Sequence, residues 1–332
     1  MSFWDSLYDV TGISTIMGMV KEKTISLMPE YIQQPTKPTK FYYRPQTFQE
    51  LISQEKAKDK IKLTIELINK GFPRHFLLMG NAGHGKTTMA GIIANTLGFD
   101  FNMYVGSNFD IPAVQQFLIK NQDSKNLNIL FIDEIAEVDK KTLTYMLPII
   151  EDFKVNNLAL KKFILIGATT DTWLISKRCQ PFLDRIHCKI YLEEYSAGDI
   201  KQLLKQYNDQ IHRLNVSEEV YDILSRNVRF IPRIALAYFD YLVACNGDIN
   251  RVLQMNRIIK DGLDDIDVKI LHHLSMVDKP IGEQALSIIA NMTSAEYKEL
   301  REPYLMRQEL ISRTNRGRLL TTKGKLFLQE IK

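Results

Sequence analysis

The octapeptide Gly80-Asn81-Ala82-Gly83-His84-Gly85-Lys86-Thr87 constrains this chain more than any other stretch. Its pattern, GxxxxGK followed by Thr, places glycine where a backbone must curl so that several N–H groups point inward at phosphate oxygens. The short apolar run His75–Met79 precedes it and a helical pattern over Lys86–Leu97 follows, so the positive end of a helix joins the amide cradle. The motif assigns Gly80, Asn81, Ala82, Gly83, His84, Gly85, Lys86, Thr87 and Thr88 to nucleotide binding. Lys86 is the point charge for the β and γ phosphates of ATP, and the Thr87 hydroxyl is a ligand for Mg2+. His84 reads as an outward-pointing spacer without a catalytic role.

A second element completes this chemistry. Asn128–Ile132 is a continuous apolar strand that delivers Asp133 and Glu134 to the carboxyl edge of a parallel sheet, where ligands bind in such folds. Asp133 is expected to hold Mg2+, largely through water, and Glu134 to polarise the attacking water. In isolation these two acids could also describe a solvated strand end, the weaker of the two readings; a phosphate loop in the same domain favours catalysis further.

Around these motifs, strand-like runs alternate with helical ones: Lys140–Glu151 reads as a helix and Phe163–Gly167 as a buried strand. Such alternation predicts an α/β fold with a parallel sheet covered on both faces. Residues 196–262 show helical patterns and no convincing strand, which predicts a small helical lid. Gly262-Leu263 before Asp264-Asp265 marks a boundary, with the aspartates placed to cap a helix. The last seventy residues read as three helices, then strands Leu310–Thr314 and Arg318–Thr322 joined by Asn315-Arg316-Gly317, the outline of a winged helix. The expected division is an appendage and linker over 1–40, a large ATPase domain over 41–195, a lid over 196–262 and a winged helix over 263–332.

Composition sets bounds on this reading. At 332 residues, 45% apolar and 25% charged, the chain can bury the cores of two or three domains. The net charge of +4 is uneven: residues 301–332 hold eight Lys or Arg against three Glu, which suggests a polyanion partner for that end. Three cysteines, Cys179, Cys188 and Cys245, fit no zinc spacing and argue for reduced thiols in a cytoplasmic compartment. No apolar run approaches the roughly 18 residues needed to span a bilayer, so no membrane partner is expected. Within the appendage, Phe3, Trp4, Leu7, Ile13, Ile16, Met17 and Val20 suit short amphipathic helices, for packing on the body or docking elsewhere.

Taken together, Asp133-Glu134, Gly167-Ala168-Thr169-Thr170 and Pro232-Arg233-Ile234-Ala235 resemble the AAA+ family. Within it the chain is most similar to the RuvB family of Holliday-junction branch-migration motors. Tyr43-Arg44-Pro45-Gln46-Thr47-Phe48, Gln54-Glu55-Lys56, Glu151-Asp152-Phe153 and Pro181-Phe182-Leu183-Asp184-Arg185 also match. So do Glu302-Pro303-Tyr304-Leu305 and Arg313-Thr314-Asn315-Arg316-Gly317-Arg318, which extends the resemblance over roughly 43–325.

The resemblance implies a AAA+ P-loop ATPase domain, a helical lid and a C-terminal winged helix. It implies roles for single residues too. Thr170 stands where the first sensor meets the γ-phosphate or the attacking water, and Arg233 where the second sensor reports from the lid. Arg185 stands where an arginine finger reaches a neighbouring subunit's nucleotide, which implies a homo-oligomeric ring, a hexamer. Arg178 competes for that role, because Ser176-Lys177-Arg178-Cys179 resembles an element of clamp loaders. Pro45, Ile52 and Tyr195 match positions around the adenine. In the tail, Arg313, Arg316 and Arg318 of the hairpin, with Tyr297, Lys298 and Arg301 of the helix before it, are the expected contacts to double-stranded or junction DNA.

The pattern departs from the family in places. A long hairpin that engages the junction-recognition partner RuvA stands after Glu-Asp-Phe in the family, whereas only Lys154–Lys162 is available here. This leaves a RuvA-like partner in doubt. Asp171–Gln180 reads as a loop longer than the family's. The function expected is ATP-driven movement of double-stranded DNA; the alternatives are a clamp-loader-like switch or a nucleotide-regulated interaction protein.

Overall fold

Residues 43–155, 158–277 and 279–331 are described by a computed structural model of the chain. The expected appendage, with its amphipathic pattern, lies outside the described residues.

Five parallel strands form the central sheet: β1 (Phe76–Met79), β2 (Asp100–Val105), β3 (Asn128–Asp133), β6 (Phe163–Thr169) and β7 (Cys188–Tyr191). A separate antiparallel ribbon pairs β4 (Lys154–Val155) with β5 (Leu158–Ala159). The expected strands at 128–132 and 163–167 continue to Asp133 and Thr169, because their apolar runs feed both faces of the sheet. Ile129, Phe131, Ile164 and Ile166 enter one core with Ile61, Ile65, Met89 and Ile92 from helices α1 (Glu55–Asn69) and α2 (Lys86–Leu97). Their alternates Leu130, Ile132, Phe163 and Leu165 enter the opposite core. That core is closed by α3 (Ile111–Asp123), α4 (Lys140–Glu151) and α5 (Thr172–Asp184). A side-chain period of two, with both phases apolar, leaves such strands no solvent face.

The sheet order is β2-β3-β6-β1-β7. It inserts β6 between the strand that feeds the phosphate loop and the strand that ends in Asp133. Met79 is paired with Thr169, and Ile132 with Gly167, so the three strand ends open on one edge.

The stretch expected as a long loop at Asp171–Gln180 is helical instead. The Asp171 side chain caps α5 by accepting from the Leu174 amide at 2.9 Å. The helix kinks at Cys179, whose φ of −156° and ψ of 79° precede Pro181, a residue with no N–H to continue the ladder.

The lid consists of α6 (Ala197–Tyr207), α7 (Glu218–Asn227), α8 (Pro232–Ala244) and α9 (Ile249–Met255). Ser196 and Asp199 form a capping box that starts it. The absence of strands expected for 196–262 fails at its end, where β8 (Ile258–Lys260) pairs with β9 (Leu263–Asp264) across the predicted boundary. Asp264 caps α10 (Asp265–Ser275), as its position predicts. In the winged helix, α11 (Glu283–Ile289) follows. Ser294–Glu296 then runs through a π turn at Tyr297–Arg301 into α12 (Glu302–Arg307). The hairpin strands are β10 (Ile311–Thr314) and β11 (Gly317–Leu320), and a further helix that the sequence reading did not anticipate, α13 (Thr322–Glu330), closes the domain. Gly317 has φ +144°, and a Cβ there would stand 2.4 Å from the Ile281 carbonyl oxygen. Close backbone approach, as well as turn conformation, therefore selects glycine here.

Candidate nucleotide site and nucleic-acid interface

Gly80, Gly83 and Gly85 all adopt positive φ, at 149°, 78° and 92°, which gives the loop between β1 and α2 its inward curl. Lys86 is buried, and its ammonium donates to the carbonyls of Gly80 at 2.9 Å and Asn81 at 3.2 Å. Burial pushes its pKa down, while the carboxylates of Glu134 and Asp133 pull it back up. Thr87, the second residue of α2, donates its hydroxyl to Asp133 Oδ2 at 3.3 Å. Thr88 follows it, partly buried in the first turn.

At the end of β3 the backbone turns left-handed at Glu134, with φ 48°. The Glu134 carboxylate accepts from the Thr170 amide at 3.2 Å and from the Thr170 hydroxyl at 3.3 Å. The order of strands thus brings Thr170 to Glu134, and Thr87 to Asp133, from segments far apart in sequence. Gly106, which sequence reasoning missed, backs this arrangement. A Cβ at Gly106 would stand 2.1 Å from the Glu134 carbonyl oxygen. The only sequence signal for it was a glycine just after a strand, beside Ser107 and Asn108.

His84 departs from expectation. It does not point outward; only 2% of it is exposed, with Nδ1 3.1 Å from the Ala82 carbonyl and its ring 6.1 Å from that of Tyr195. Its Nε2 is buried without a hydrogen-bond partner, and burial lowers its pKa. The tight curl of the loop turns this side chain towards the body. Tyr195 is itself buried, which pushes its phenol up to about 12, and its hydroxyl lies 3.8 Å from the Cβ position of Gly85. Pro45 and Ile52 are buried as well. Their neighbours are tied down: Gln46 to Asn95 of α2 at 3.1 Å, and Gln54 to the Glu193 backbone at 2.7 and 2.8 Å. Gln54 is 1% exposed and effectively extends the β7 edge, a role that its motif alone did not disclose.

The three arginines divide clearly. Arg233 follows Pro232 at the first turn of α8 and is exposed, with its Cβ 3.5 Å from the Cβ position of Gly83, so the lid places it over the loop. Arg185 caps the far end of α5, where it donates to Glu151 Oε2 at 2.6 Å and to the Pro181 carbonyl at 2.9 Å. Arg178 donates to the carbonyls of Ala136 and Val138 in its own chain, which ties it to the segment after Glu134.

The winged helix engages two of the expected DNA contacts in ion pairs within its own fold. Arg318 does not flank the tip as a free cation. It is 5% exposed and forked onto Glu302 at 2.9 and 2.7 Å, with Glu283 at 3.3 Å. These ion pairs hold its side chain inside the domain, while its backbone exchanges hydrogen bonds with Ile281 at 2.8 and 2.9 Å. Arg301 is likewise engaged, with Asp264 and Asp267, beside Arg229 of the lid. Tyr297 is fully buried and Lys298 pairs with Glu283 at 2.8 Å. Arg313 and Arg316 remain exposed on the hairpin, with no acidic partner among the described residues. Among those residues there is also no cluster of three or more His, Cys, Asp or Glu able to hold a metal, and no helix long and apolar enough to cross a membrane.

The parallel sheet of this order, its phosphate loop, the Asp-Glu strand end, a lid with an arginine over the loop and a winged helix define a AAA+ P-loop ATPase. Residues 43–192 match the family described as Holliday junction DNA helicase RuvB P-loop domain, and residues 260–329 the RuvB C-terminal winged helix domain. The chain is 31% identical over 313 residues to the Holliday junction branch migration complex subunit RuvB of Fusobacterium nucleatum, covering 85% of this chain and 91% of that one. It is 31% identical to the same subunit of Kosmotoga olearia, over 85% and 88% of the two chains. The solved RuvB Holliday junction branch migration motor of Thermotoga maritima superposes with a TM-score of 0.73 at 28% identity, over 86% of this chain and 98% of that one. This chain belongs to the RuvB family.

Proposed function

We propose that this chain is an ATP-driven motor that moves double-stranded DNA through four-way junctions, in keeping with relatives named for Holliday junction branch migration. The observation that carries the ATPase half is the triple convergence at one sheet edge: Lys86 in the loop, Thr87 on Asp133, and Thr170 on Glu134. Glu134 then orients the attacking water, with Thr170 holding its carboxylate on the γ-phosphate side. Lys86 leaves its carbonyl partners for the β and γ phosphates. Arg233 reports the γ-phosphate to the lid.

The Thr87 hydroxyl and the Asp133 carboxylate are two hard oxygen donors on one side of the loop, a set that fits Mg2+ with water completing its shell. Bound there, Mg2+ would offset charge developing on the phosphate oxygens.

Arg185 serves as the finger of a neighbouring copy. Its ion pair with Glu151 is half-exposed and exchangeable, whereas Arg178 is held by two carbonyls. A finger that acts in trans calls for a ring, for which we adopt the hexamer. Duplex contact falls to Arg313 and Arg316. A RuvA-like partner, if used, meets a different surface from the family's long hairpin, since the ribbon here has two residues per strand.

The test is steady-state ATP hydrolysis with no DNA, with linear duplex and with a synthetic four-way junction, at two salt concentrations, followed by a junction-dissociation assay. Stimulation that fades with salt and junction dissociation that needs ATP support the motor. Hydrolysis indifferent to DNA overturns it.

A further inference from the structure

Glu194 lies between β7 and α6, and its carboxylate is shared by two domains. Oε1 accepts from the Asn81 side chain, inside the phosphate loop, at 3.3 Å. Oε2 accepts from Arg307 Nε, at the end of α12 in the winged helix, at 2.9 Å. Arg307 makes two further contacts. Its Nη2 donates to the Tyr195 carbonyl at 3.2 Å, and its guanidinium lies 5.1 Å from the ring centroid of Phe230, three residues before Arg233. One carboxylate and one guanidinium therefore join the phosphate loop, the entry to the lid and the winged helix. We propose that Glu194 and Arg307 are positioning residues that couple nucleotide binding in the phosphate loop to DNA binding by the winged helix.

Exposure separates this pair from a purely structural one. The Glu194 side chain is 47% exposed and that of Arg307 25%, and ion pairs this open to water add little to stability. The lid and the winged helix are held together elsewhere, by Arg229 of the lid on Asp264 and the fully buried Asp267. Removing Glu194 or Arg307 should thus leave the fold standing. Asn81 is the second residue of the loop, where the chain must settle around phosphates. A change in its side chain is passed to Glu194 through a long, exposed hydrogen bond, and from there to Arg307. A second path lies alongside: the buried His84 ring packs beside Tyr195, whose carbonyl Arg307 also holds. Both run from the loop to one guanidinium.

Coupling of this kind is reciprocal: if nucleotide changes DNA affinity by a factor, DNA changes nucleotide affinity by the same factor. The inference rests on the nucleotide and DNA reading above, and its test separates the two. Dissociation constants of a fluorescent, non-hydrolysable ATP analogue are measured with and without saturating duplex, on the full chain. The proteins are wild type, Glu194→Gln, Arg307→Gln and the double variant. DNA should shift the wild-type constant by about fivefold or more, the low end of ordinary coupling, and each single variant should bring that factor close to one. Melting temperature should hold in every variant, and the double variant should lose no more of the factor than either single. A factor retained in both single variants overturns the coupling. A factor lost in one single variant and kept in the other overturns the pairing. If wild type binds DNA and nucleotide with no mutual effect, the coupling alone fails; if it binds no DNA, the DNA reading has failed and the coupling falls with it.

Discussion

Gly106→Ala is the most economical probe of the catalytic edge, because it adds one methyl group behind Glu134 and leaves the side chains that would hold nucleotide and metal unaltered. The new Cβ would stand 2.1 Å from the Glu134 carbonyl oxygen, 2.9 Å from its carbonyl carbon and 3.3 Å from the Asp133 carbonyl oxygen. These are backbone atoms, so no side-chain rotation relieves them. Opening the closest contact to the 3.4 Å of ordinary packing requires Glu134 to withdraw by about 1.3 Å. Glu134 already sits at φ 48° and is held at its carboxylate by Thr170, so its backbone cannot move without breaking that orientation. A misplacement of about 1 Å can cost on the order of 10²-fold in rate, and that is the loss in kcat expected here. Overpacking should lower stability by about 1–3 kcal/mol, which a melting curve reads separately. Nucleotide affinity should barely change, since β6 separates β3 from the loop-bearing β1. The assay is steady-state ATP hydrolysis beside a nucleotide titration on the same preparation. A variant that hydrolyses ATP at the wild-type rate with normal melting would refute the claim that Gly106 sets the position of Glu134.

Four further outcomes follow from the same geometry. Glu134→Gln should retain nucleotide but lose about 10²–10⁴-fold in turnover, whereas Lys86→Ala should weaken nucleotide binding too; unchanged hydrolysis in the first would sink the water-orienting role. Arg318→Met should cost about 3–5 kcal/mol, because it leaves Glu302 buried and unpaired; a melting temperature equal to wild type would return Arg318 to the list of DNA contacts. Arg316→Ala should melt like wild type and reduce the salt dependence of duplex binding by roughly one unit of slope; an unaltered slope would remove it from the interface. His75 is fully buried, donating from Nε2 to the Ile150 carbonyl and accepting the Leu165 amide at Nδ1, and burial pushes its pKa from 6.5 to about 4. The fold excludes its proton, so this contribution is complete above pH 6.5 and is lost as pH falls towards 4, by about 3 kcal/mol in all. Urea midpoints of wild type and His75→Asn should therefore converge across that window, and parallel curves would contradict it.

The parts of the site that were legible in sequence are those whose chemistry is local. The phosphate loop needs its glycines and lysine in one stretch, and β3 needs an unbroken apolar run before Asp133. What escaped is set by contacts across the fold. Gly106 matters because β2 lies beside β3, and Gln54 because it hydrogen-bonds the backbone beyond β7; neither neighbour is visible from their own surroundings. His84 was misplaced for the same reason, since a loop motif says which amides turn inward but not where the intervening side chain goes. The stretch Asp171–Gln180 is expected from its sequence to be a loop longer than the family's. The structure keeps it helical with a kink, which is what a helix capped by Asp171 on one side of a proline does.

The winged helix shows why a charge count misleads. Eight basic residues over 301–332 promised a strong polyanion site, yet three of them, Arg301, Arg307 and Arg318, are committed to acids within the fold, and Lys323 faces Glu309. Asp264, Asp267, Glu194 and Glu283 among their partners lie outside the window that was counted, while Glu302 and Glu309 lie inside it. Arg313, Arg316 and Lys325 are left exposed without an acidic partner among the described residues. With about two phosphates neutralised per copy, by Arg313 and Arg316, the salt slope would be only about −1.8, and a single subunit should hold duplex weakly. For a motor this is an advantage: each copy must release its phosphates at every step, and a tight grip would stall it. In the proposed ring the remaining copies retain the duplex while one lets go, because tethered sites act at high effective concentration. Weak contact per subunit and retention by the assembly are then one arrangement, and a ring dispersed by dilution should lose duplex affinity although no DNA contact has been removed.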